Sequence, residues 1–216
     1  MTEKLKELLK DRETDKILSL IQESPKVLEL QDERGTSGLL LIAYSGMPKV
    51  LETAITLKNS FTFHEAVVCG LMEQVQSMLV HDPELINQYA NDGFTPVSLA
   101  AFFDQTEMAK WLLDHDADPN LPATNPSKVN ALHAAVAKEN VGLCQLLIAK
   151  GVDVNAPQMQ NVTALHSAVH RGNLELVKLL VQHGADIELK MENGDTALSI
   201  AKRDGHKEIV AYLEER

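Results

Sequence analysis

The sequence predicts an all-α solenoid, a one-dimensional stack of helix-turn-helix repeats joined by short hairpin-like loops. One observation is a four-residue motif that returns at intervals of 33 residues. Its three clearest copies are Asn130-Ala131-Leu132-His133, Thr163-Ala164-Leu165-His166 and Thr196-Ala197-Leu198-Ser199. The other observation is an apolar stripe with helical spacing in the second half of each copy, as in Leu176, Leu179 and Leu180. A repeat of this length cannot bury its apolar face alone, so several copies must stack.

A small side chain marks the contact between neighbouring repeats. Three weaker copies of the motif precede the clear ones, namely Ser37-Gly38-Leu39-Leu40, Phe61-Thr62-Phe63-His64 and Thr95-Pro96-Val97-Ser98. An alanine follows the third motif residue by three positions in each of the last five copies: Ala66, Ala100, Ala135, Ala168 and Ala201. A position that stays small in every copy indicates a crowded contact between helices. The register predicts about six to seven repeats, including degenerate repeats that cap the ends.

The start and the end of each helix pair carry local signals. Thr95, Thr163 and Thr196 stand where an N-cap hydroxyl accepts a hydrogen bond from an early helical N–H. Pro96 fills the first helical position, where its missing N–H costs nothing. Glycines such as Gly151 follow the second helix, where a left-handed residue closes its C-terminus. The first helix of a repeat is therefore predicted to begin directly after the threonine.

The turns between repeats need a residue that tolerates a positive φ. Gly93 and Gly194 supply it, and Asn161 imitates it. Lys128 stands at the equivalent point and breaks this rule, and the stretch 121–127 makes its repeat two residues longer. We expect an irregular and more mobile loop there.

These motifs resemble the ankyrin repeat. The resemblance lies in the threonine, proline or alanine, leucine and histidine opening, and in glycine-containing segments between and after the helices. Those segments are Gly172-Asn173-Leu174-Glu175, Gly205-His206-Lys207-Glu208, Gly151-Val152-Asp153-Val154-Asn155 and Gly184-Ala185-Asp186-Ile187. The match is specific over residues 93–216 and rests mainly on register over residues 1–92. The resemblance implies an ankyrin-repeat solenoid and a binding role.

The whole sequence is predicted to form one array over residues 1–216. Residues 23–28 parallel residues 81–86, and Gly35 parallels Gly93 at the same offset, so the first segment reads as a degenerate repeat with helices at 3–10 and 14–23. The predicted parts are an N-terminal cap at 1–34, divergent repeats at 35–92, regular repeats at 93–193 and a C-terminal capping repeat at 194–216.

Charge is unevenly distributed along the chain, whose net charge is −11. Residues 61–127 hold ten Asp and Glu but only one basic residue, Lys110, whereas the flanking segments are nearly balanced. Phosphate binding needs dense Lys and Arg, so a nucleic-acid partner is not expected. An acidic surface favours a protein partner with a basic surface. The alternative is that these carboxylates only face water on the convex side and in loops.

Composition favours a soluble cytoplasmic protein without a membrane anchor. The chain has 44% hydrophobic residues but no run of 18 apolar residues, and its charged start lacks the apolar core of a signal peptide. Cys69 and Cys144 lie in different repeats, which fits a reducing compartment and argues against a disulfide framework. We expect a monomer when no partner is bound.

No motif predicts catalysis, a cofactor or a metal site. The resemblance implies that His64, His133 and His166 are structural histidines in the fourth motif position, bonded to loop backbone. Residues 114–118 mimic the start of a calcium loop, but Pro119 replaces its glycine and Asn125 its bidentate glutamate. Nucleophile, phosphate-binding and zinc-protease motifs are absent from the sequence. We therefore expect no enzyme, cofactor or metal.

The resemblance implies that a partner meets the hairpin tips and the inner face of the first helices. The candidate partner-binding residues at these positions are Asn91, Asp92, Phe94, Phe102, Phe103, Lys138, Met159, Gln160, His170, Arg171, Glu192, Asp195, Lys202 and Arg203. Three of the five phenylalanines of the chain fall in one repeat, and aromatic anchors often dominate an interface. Exposed, they form an apolar patch. Alternatively, one or both of Phe102 and Phe103 fold back under the loop at 121–129.

The sequence thus predicts a non-catalytic interaction module, an intracellular adaptor or inhibitor that binds a protein on its concave face through an acidic, Phe-containing central surface. The alternative is a structural spacer or a self-associating scaffold with no separate partner. Sizing at two protein concentrations separates the two functions.

Overall fold

The computed structural model describes residues 1–216 and is helical throughout. Its fourteen α-helices are α1 Thr2–Lys10, α2 Thr14–Glu23, α3 Gly38–Tyr44, α4 Pro48–Leu57, α5 Phe63–Val68, α6 Met72–His81, α7 Pro96–Phe102, α8 Thr106–Asp114, α9 Ala131–Ala137, α10 Val141–Ala149, α11 Ala164–His170, α12 Leu174–Gln182, α13 Ala197–Asp204 and α14 Lys207–Glu214. Short 3-10 turns lie at Pro25–Leu28, Pro83–Asn87 and Met159–Asn161. No helix has both the length and the apolar character that a membrane crossing requires. The all-α, helix-turn-helix prediction is confirmed.

The chain forms two compact units. The N-terminal unit comprises Met1–Pro83 and Ala90–Asp92, and the C-terminal unit comprises Glu84–Tyr89 and Gly93–Arg216. The N-terminal unit holds α1 to α6, and the C-terminal unit holds α7 to α14. The expectation of one array over residues 1–216, with the boundaries given above, stays a prediction.

The C-terminal unit consists of four helix pairs in two layers. The first helices α7, α9, α11 and α13 pack side by side, and the second helices α8, α10, α12 and α14 form the other layer. We call the solvent-facing side of the first helices the first-helix face. Ala100, Ala135, Ala168 and Ala201 are fully buried in this layer. This burial agrees with the crowded contact that the repeating alanine indicates, because larger side chains would force neighbouring helices apart.

The first helices begin where the sequence predicts. The hydroxyls of Thr95 and Thr196 accept hydrogen bonds from the amides of Ser98 and Ser199 at 3.2 and 3.3 Å, and Pro96 is the first helical residue. Thr163 caps α11 in the same way. Each of these amides lacks a partner within its own helix, so the cap hydroxyl satisfies a group that water would otherwise have to reach.

Left-handed residues close the turns, also where glycine is missing. Lys128 and Asn161 adopt φ values of 52° and 56° at the points where Gly93 and Gly194 both have 87°. At Gly93 an added Cβ would lie 2.9 Å from the backbone nitrogen of Asn125, so this position also needs the small residue. The loop at 121–129 is held by the backbone bond from Ala123 to Val129 at 2.9 Å. It is irregular as predicted, and its greater mobility stays a prediction.

The N-terminal unit begins with the two predicted helices. They are observed as α1 and α2, within one residue of the expected bounds. Leu5, Ile17 and Ile21 on these helices pack with Leu39 and Ile42 on α3 in a common apolar core. Their spacing of three to four residues places them on one face of each helix, which explains why these weakly repeated segments still fold as helices.

The register of the copy at residues 61–64 was wrong by one residue. Thr62 is the N-cap of α5, so Glu65 rather than His64 occupies the third helical position. The amide of Thr62 donates to Glu65 Oε2 at 2.9 Å, and the hydroxyl of Thr62 accepts from the amide of Glu65 at 3.3 Å. His64 is half-buried, with its ring 5.8 Å from that of Phe63. Because α5 is one residue shorter than α11, Ala66 keeps its place while the cap moves.

Candidate functional site

Phe102 is the most exposed phenylalanine of the chain. It is 41% exposed at the end of α7, and the ring of Phe103 packs edge-on against it at 5.2 Å. Lys138 Nζ lies 5.1 Å from the centre of the Phe102 ring. We call Phe102, Phe103 and Lys138 the Phe102 cluster. The cluster shows that Phe102 is not folded under the loop at 121–129, whereas Phe103 is half-buried.

The three phenylalanines of this repeat do not form one exposed patch. Phe94 precedes the N-cap Thr95 and is half-buried, like Phe103. Phe102 alone presents a large fraction of its surface to solvent among the three. An interface on this repeat would therefore have one exposed apolar anchor, Phe102.

Paired charges continue the first-helix face beyond the Phe102 cluster. His170 Nδ1 lies 2.7 Å from Asp204 Oδ2, and Arg171 lies 3.9 Å from Glu139. Arg203 contacts Asp195 and lies 3.1 Å from Asp204. The hydrogen bonds with His170 and Arg203 hold the pKa of Asp204 below its usual value. These charges are solvent-exposed, so each pair is worth little for stability but leaves a mixed-charge surface.

Lys202 lies off this row. Its Nζ is 2.7 Å from Glu214 Oε1 on α14. Helix α13 has eight residues where α11 has seven, and Arg203 is the residue 33 positions after His170. Arg203 and Asp204, rather than Lys202 and Arg203, therefore correspond to His170 and Arg171.

The hairpin tips of the C-terminal unit are tied together through their backbones. The amide of Met159 donates to the carbonyl of Ser127 at 2.9 Å, and the amide of Glu192 donates to the carbonyl of Gln160 at 3.0 Å. The Met159 side chain is 53% exposed, and Gln160 has a φ of 63°. These tips thus hold exposed side chains on a backbone fixed by the next repeat.

Asn91 and Asp92 belong to the N-terminal unit. Asn91 Nδ2 donates to the carbonyl of Gly35 at 3.0 Å, and the hydroxyl of Tyr44 donates to Asp92 Oδ2 at 2.6 Å. Burial, and secondly this bond to Asp92, raises the pKa of Tyr44. Asn91 thus bonds to the turn at Gly35, and Asp92 bonds to the last residue of α3. Asp92 is half-buried.

The exposed carboxylates of the acidic segment lie outside α7, the helix that carries Phe102. Glu65 is buried, 3.5 Å from the Lys58 ammonium. In the C-terminal unit the exposed acids of this segment lie mostly on α8 and in the loop after it, namely Glu107, Asp114, Asp116 and Asp118. Asp114 pairs with Lys150 at 2.7 Å. The charged group over the Phe102 ring is the Lys138 ammonium, whereas most of these acids lie on α8 or in the loop after it.

The buried histidines of the C-terminal unit are part of its helix caps. His166 Nδ1 accepts from the amide of Thr163 at 3.1 Å, so its Nε2 carries the proton that it donates to the carbonyl of Leu189 at 3.0 Å. His133 Nδ1 accepts from Asn130 at 3.3 Å, but its buried Nε2 has no hydrogen-bond partner. Burial lowers the pKa of His133 to about 4 and also lowers that of His166. No group of three or more His, Cys, Asp and Glu side chains is placed to hold a metal ion.

Two contacts were not found from the sequence. The Lys138 ammonium over Phe102 joins residues that lie on neighbouring first helices, and only the repeat register could have paired them. Trp111 is half-buried and stacks on His115 with ring centres 3.8 Å apart. The spacing of four residues between the two rings on α8 was the available signal.

Comparison with known proteins identifies the repeats. A family model described as "Ankyrin repeats (3 copies)" matches residues 63–158 and again residues 132–216. These matches together cover all four helix pairs of the C-terminal unit and the last helix pair of the N-terminal unit.

Curated relatives carry the same repeats within longer chains. The human "Ankyrin repeat and KH domain-containing protein 1" is 34% identical over 82 residues, which are 38% of this chain and 3% of the relative. The mouse "Ankyrin repeat domain-containing protein 17" is 36% identical over 70 residues, 32% of this chain and 3% of the relative. The fowlpox virus "Putative ankyrin repeat protein FPV024" is 39% identical over 95 residues, 43% of this chain and 15% of the relative. The chain thus spans a small part of the length of these relatives.

Proposed function

This chain belongs to the ankyrin-repeat family, whose repeats generally serve as non-catalytic protein–protein interaction modules, and we propose that it is an intracellular adaptor or inhibitor that holds a protein partner on its first-helix face. The observation that carries the proposal is the 41% exposure of Phe102 at the end of α7. The equivalent residue of α9 is Ala137, and that of α11 is His170. Stacking of the repeats therefore does not require an aromatic ring at this point.

An exposed aromatic ring is suited to anchor a partner. It offers a large rigid apolar surface at a small cost in side-chain entropy, and it becomes most valuable when a partner excludes water around it. Met159, in the hairpin that precedes α11, adds a second apolar side chain, 53% exposed. The proposed contact surface includes the hairpin residues Gln160 and Glu192 and the charge row formed by His170, Arg171, Asp195 and Arg203. Asn91 and Asp92 are proposed as a contact of the N-terminal unit.

The acidic residues of α8 and of the loop after it support a partner whose overall surface is basic. Glu107 and Asp116 are exposed, and no basic residue of this chain forms an ion pair with either. Such charges act mainly on the rate of encounter and on partner choice, and salt screens them. The free thiols of Cys69 and Cys144, the latter buried, support a cytoplasmic location because oxidising compartments favour disulfides.

Replacing Phe102 with alanine tests the proposal. We expect the Phe102→Ala chain to lose capture of the partner from host extract, at a cost of about 2 kcal/mol in binding, because truncation removes the anchor. Its thermal unfolding should change little because the ring is exposed. Val80→Ala is the matched control, since Val80 is 80% exposed on α6. Partner capture that is equal in both variants would overturn the assignment of the binding face.

The alternative function is a structural spacer or self-associating scaffold. The exposed Phe102 ring is the observation that favours it, because two copies would bury such a ring against each other. Sedimentation at two protein concentrations separates the functions. A concentration-dependent dimer that Phe102→Ala abolishes would support self-association, and a monomer at both concentrations would exclude it.

A further inference from the structure

We infer that the partner segment held at the Phe102 cluster presents a carboxylate beside an apolar side chain. This inference rests on the proposed function and adds the chemistry of the bound segment. It assigns a positive charge to the contact point, although the chain as a whole carries a net charge of −11.

The Lys138 ammonium is the charged group of the Phe102 cluster. The Lys138 side chain is exposed, and its ammonium lies over the Phe102 ring without an ion pair to any carboxylate of this chain. A cation over an aromatic face keeps much of its charge available to a further anion, because the ring supplies only a weak quadrupole attraction. A carboxylate placed beside the ring would therefore meet an unneutralised ammonium.

The equivalent and neighbouring arginines differ from Lys138 in the groups that they contact. Arg171 stands at the position of Lys138 in the next repeat and faces Glu139 at 3.9 Å. Arg203 contacts two carboxylates. The cations farther along the first-helix face are thus matched within the chain. Lys138 differs from them in having a ring where they have an acid.

The acids next to the cluster in sequence accept hydrogen bonds from other side chains. Asp104 follows Phe103 directly, and its Oδ1 accepts a hydrogen bond from Asn140 Nδ2 at 2.8 Å. Glu139 follows Lys138 directly, and its Oε2 accepts from Asn173 Nδ2 at 2.9 Å. Both side chains are held by an asparagine of the following repeat. The carboxylates closest in sequence to the cluster are therefore directed toward bonds between repeats, which leaves the ammonium as the charge presented beside the ring.

Charge complementarity consequently favours an acidic and apolar segment at this point. The apolar side chain of the segment would pack on Phe102, and its carboxylate would pair with Lys138. The exposed acids of α8 do not oppose this arrangement, since they lie on the second helix of the pair. A partner with an overall basic surface and one such segment satisfies both charge patterns.

Selection from a displayed library of random dodecapeptides on the immobilised full chain tests the inference. We expect the enriched peptides to carry Asp or Glu next to Leu, Ile or Phe. Their affinity, measured with synthetic peptides, should fall about tenfold on Lys138→Glu and on Phe102→Ala. Lys178→Glu is the matched control, because Lys178 Nζ lies 5.8 Å from the Tyr212 ring on the second-helix side. That variant should leave the affinity within about twofold.

Each other outcome overturns the inference in a distinguishable way. Enriched basic peptides that still require Phe102 would remove the acidic chemistry and leave the proposed binding face. Enriched peptides that are indifferent to Phe102→Ala would remove both, and so would a selection without enrichment. Acidic peptides that respond equally to Lys138→Glu and Lys178→Glu would reveal an effect of net charge alone, which also overturns the assignment to Lys138.

Discussion

The N-terminal and C-terminal units solve the same local problem with different chemistry. In α11 the third helical residue is His166, a neutral ring that bonds the amide of the N-cap residue. In α5 the third helical residue is Glu65, which makes the equivalent bond but buries a carboxylate at 1% exposure. Glu65 is then compensated by Lys58 at 3.5 Å and by the hydroxyl of Ser37 at 2.5 Å.

The repeat therefore specifies the geometry of the cap, whereas neighbouring residues decide whether the capping side chain is charged. The histidine cap of α11 is complete within its own repeat and the following loop. A glutamate cap requires a cation from another element, because a buried charge without a partner is expensive. The N-terminal unit should therefore be sensitive to loss of a single ion partner, and the C-terminal unit should be sensitive to acid.

Removing Lys58 should have the largest effect. We expect Lys58→Met to lower the free energy of unfolding by about 3 to 5 kcal/mol, because Glu65 then keeps a buried charge without its cation. Urea unfolding measures the change. The control is the double variant Lys58→Met with Glu65→Gln, in which glutamine retains the cap without the charge and should recover most of the loss. A cost of Lys58→Met below about 1 kcal/mol would contradict a buried ion pair at this cap.

Protonation of His133 in the C-terminal unit should have the second largest effect on the free energy of unfolding. Burial lowers the pKa of His133 to about 4, so its neutral form is favoured in the folded state. The unfolded chain takes up the proton near pH 6.5, so the contribution of His133 is complete above that pH and is lost as the pH falls from 6.5 toward 4. The loss should reach about 3 kcal/mol.

The variant His133→Ser isolates this effect, because α13 already uses Ser199 at the equivalent position. We expect the difference in unfolding free energy between the parent and His133→Ser to shrink as the pH is lowered through this window. A difference that stays constant between pH 7 and pH 4.5 would show that His133 does not couple folding to protonation.

The turn at Lys128 should show the smallest effect. Lys128 holds a φ of 52°, a conformation that costs an L-residue about 1 kcal/mol, and glycine would remove that strain. Part of the gain is offset by the freedom of glycine in the unfolded chain, so Lys128→Gly should stabilise by about 0.5 kcal/mol. Asn161→Gly is the comparison, with a smaller gain expected because asparagine tolerates this conformation. Thermal unfolding that shifts downward for Lys128→Gly would show that its side chain contributes more than the strain costs.

The local signals were reliable where each works within one repeat. Thr95, Thr163 and Thr196 cap their helices as predicted, since the cap bond spans only three residues. The same reasoning misplaced the cap of α5, because α5 is one residue shorter than the regular first helix and Thr62, not Phe61, carries the hydroxyl. Ala66 alone could not reveal this shift, since it is aligned from the end of the helix.

The candidate site was predicted less completely than the fold. The register placed Phe102 and Lys138 on the same face, and the exposure of Phe102 was left open because sequence does not report what covers a ring. The sequence was expected to place the acidic residues and the phenylalanine on one surface, but this expectation did not take into account that the two helices of a pair lie in different layers. Acids of α8 and the ring on α7 are close in sequence but belong to different layers.

The repeat length, most helix caps, the small contact residues and the left-handed turns followed from the amino-acid sequence, because each depends on atoms a few residues apart and recurs along the chain. Three features depended instead on how the helices pack: Glu65 is buried against Lys58, Asp104 and Glu139 bond to asparagines of the next repeat, and a lysine lies over Phe102. These contacts join side chains from different elements or repeats. Their geometry depends on how helices pack, which no single stretch of sequence encodes.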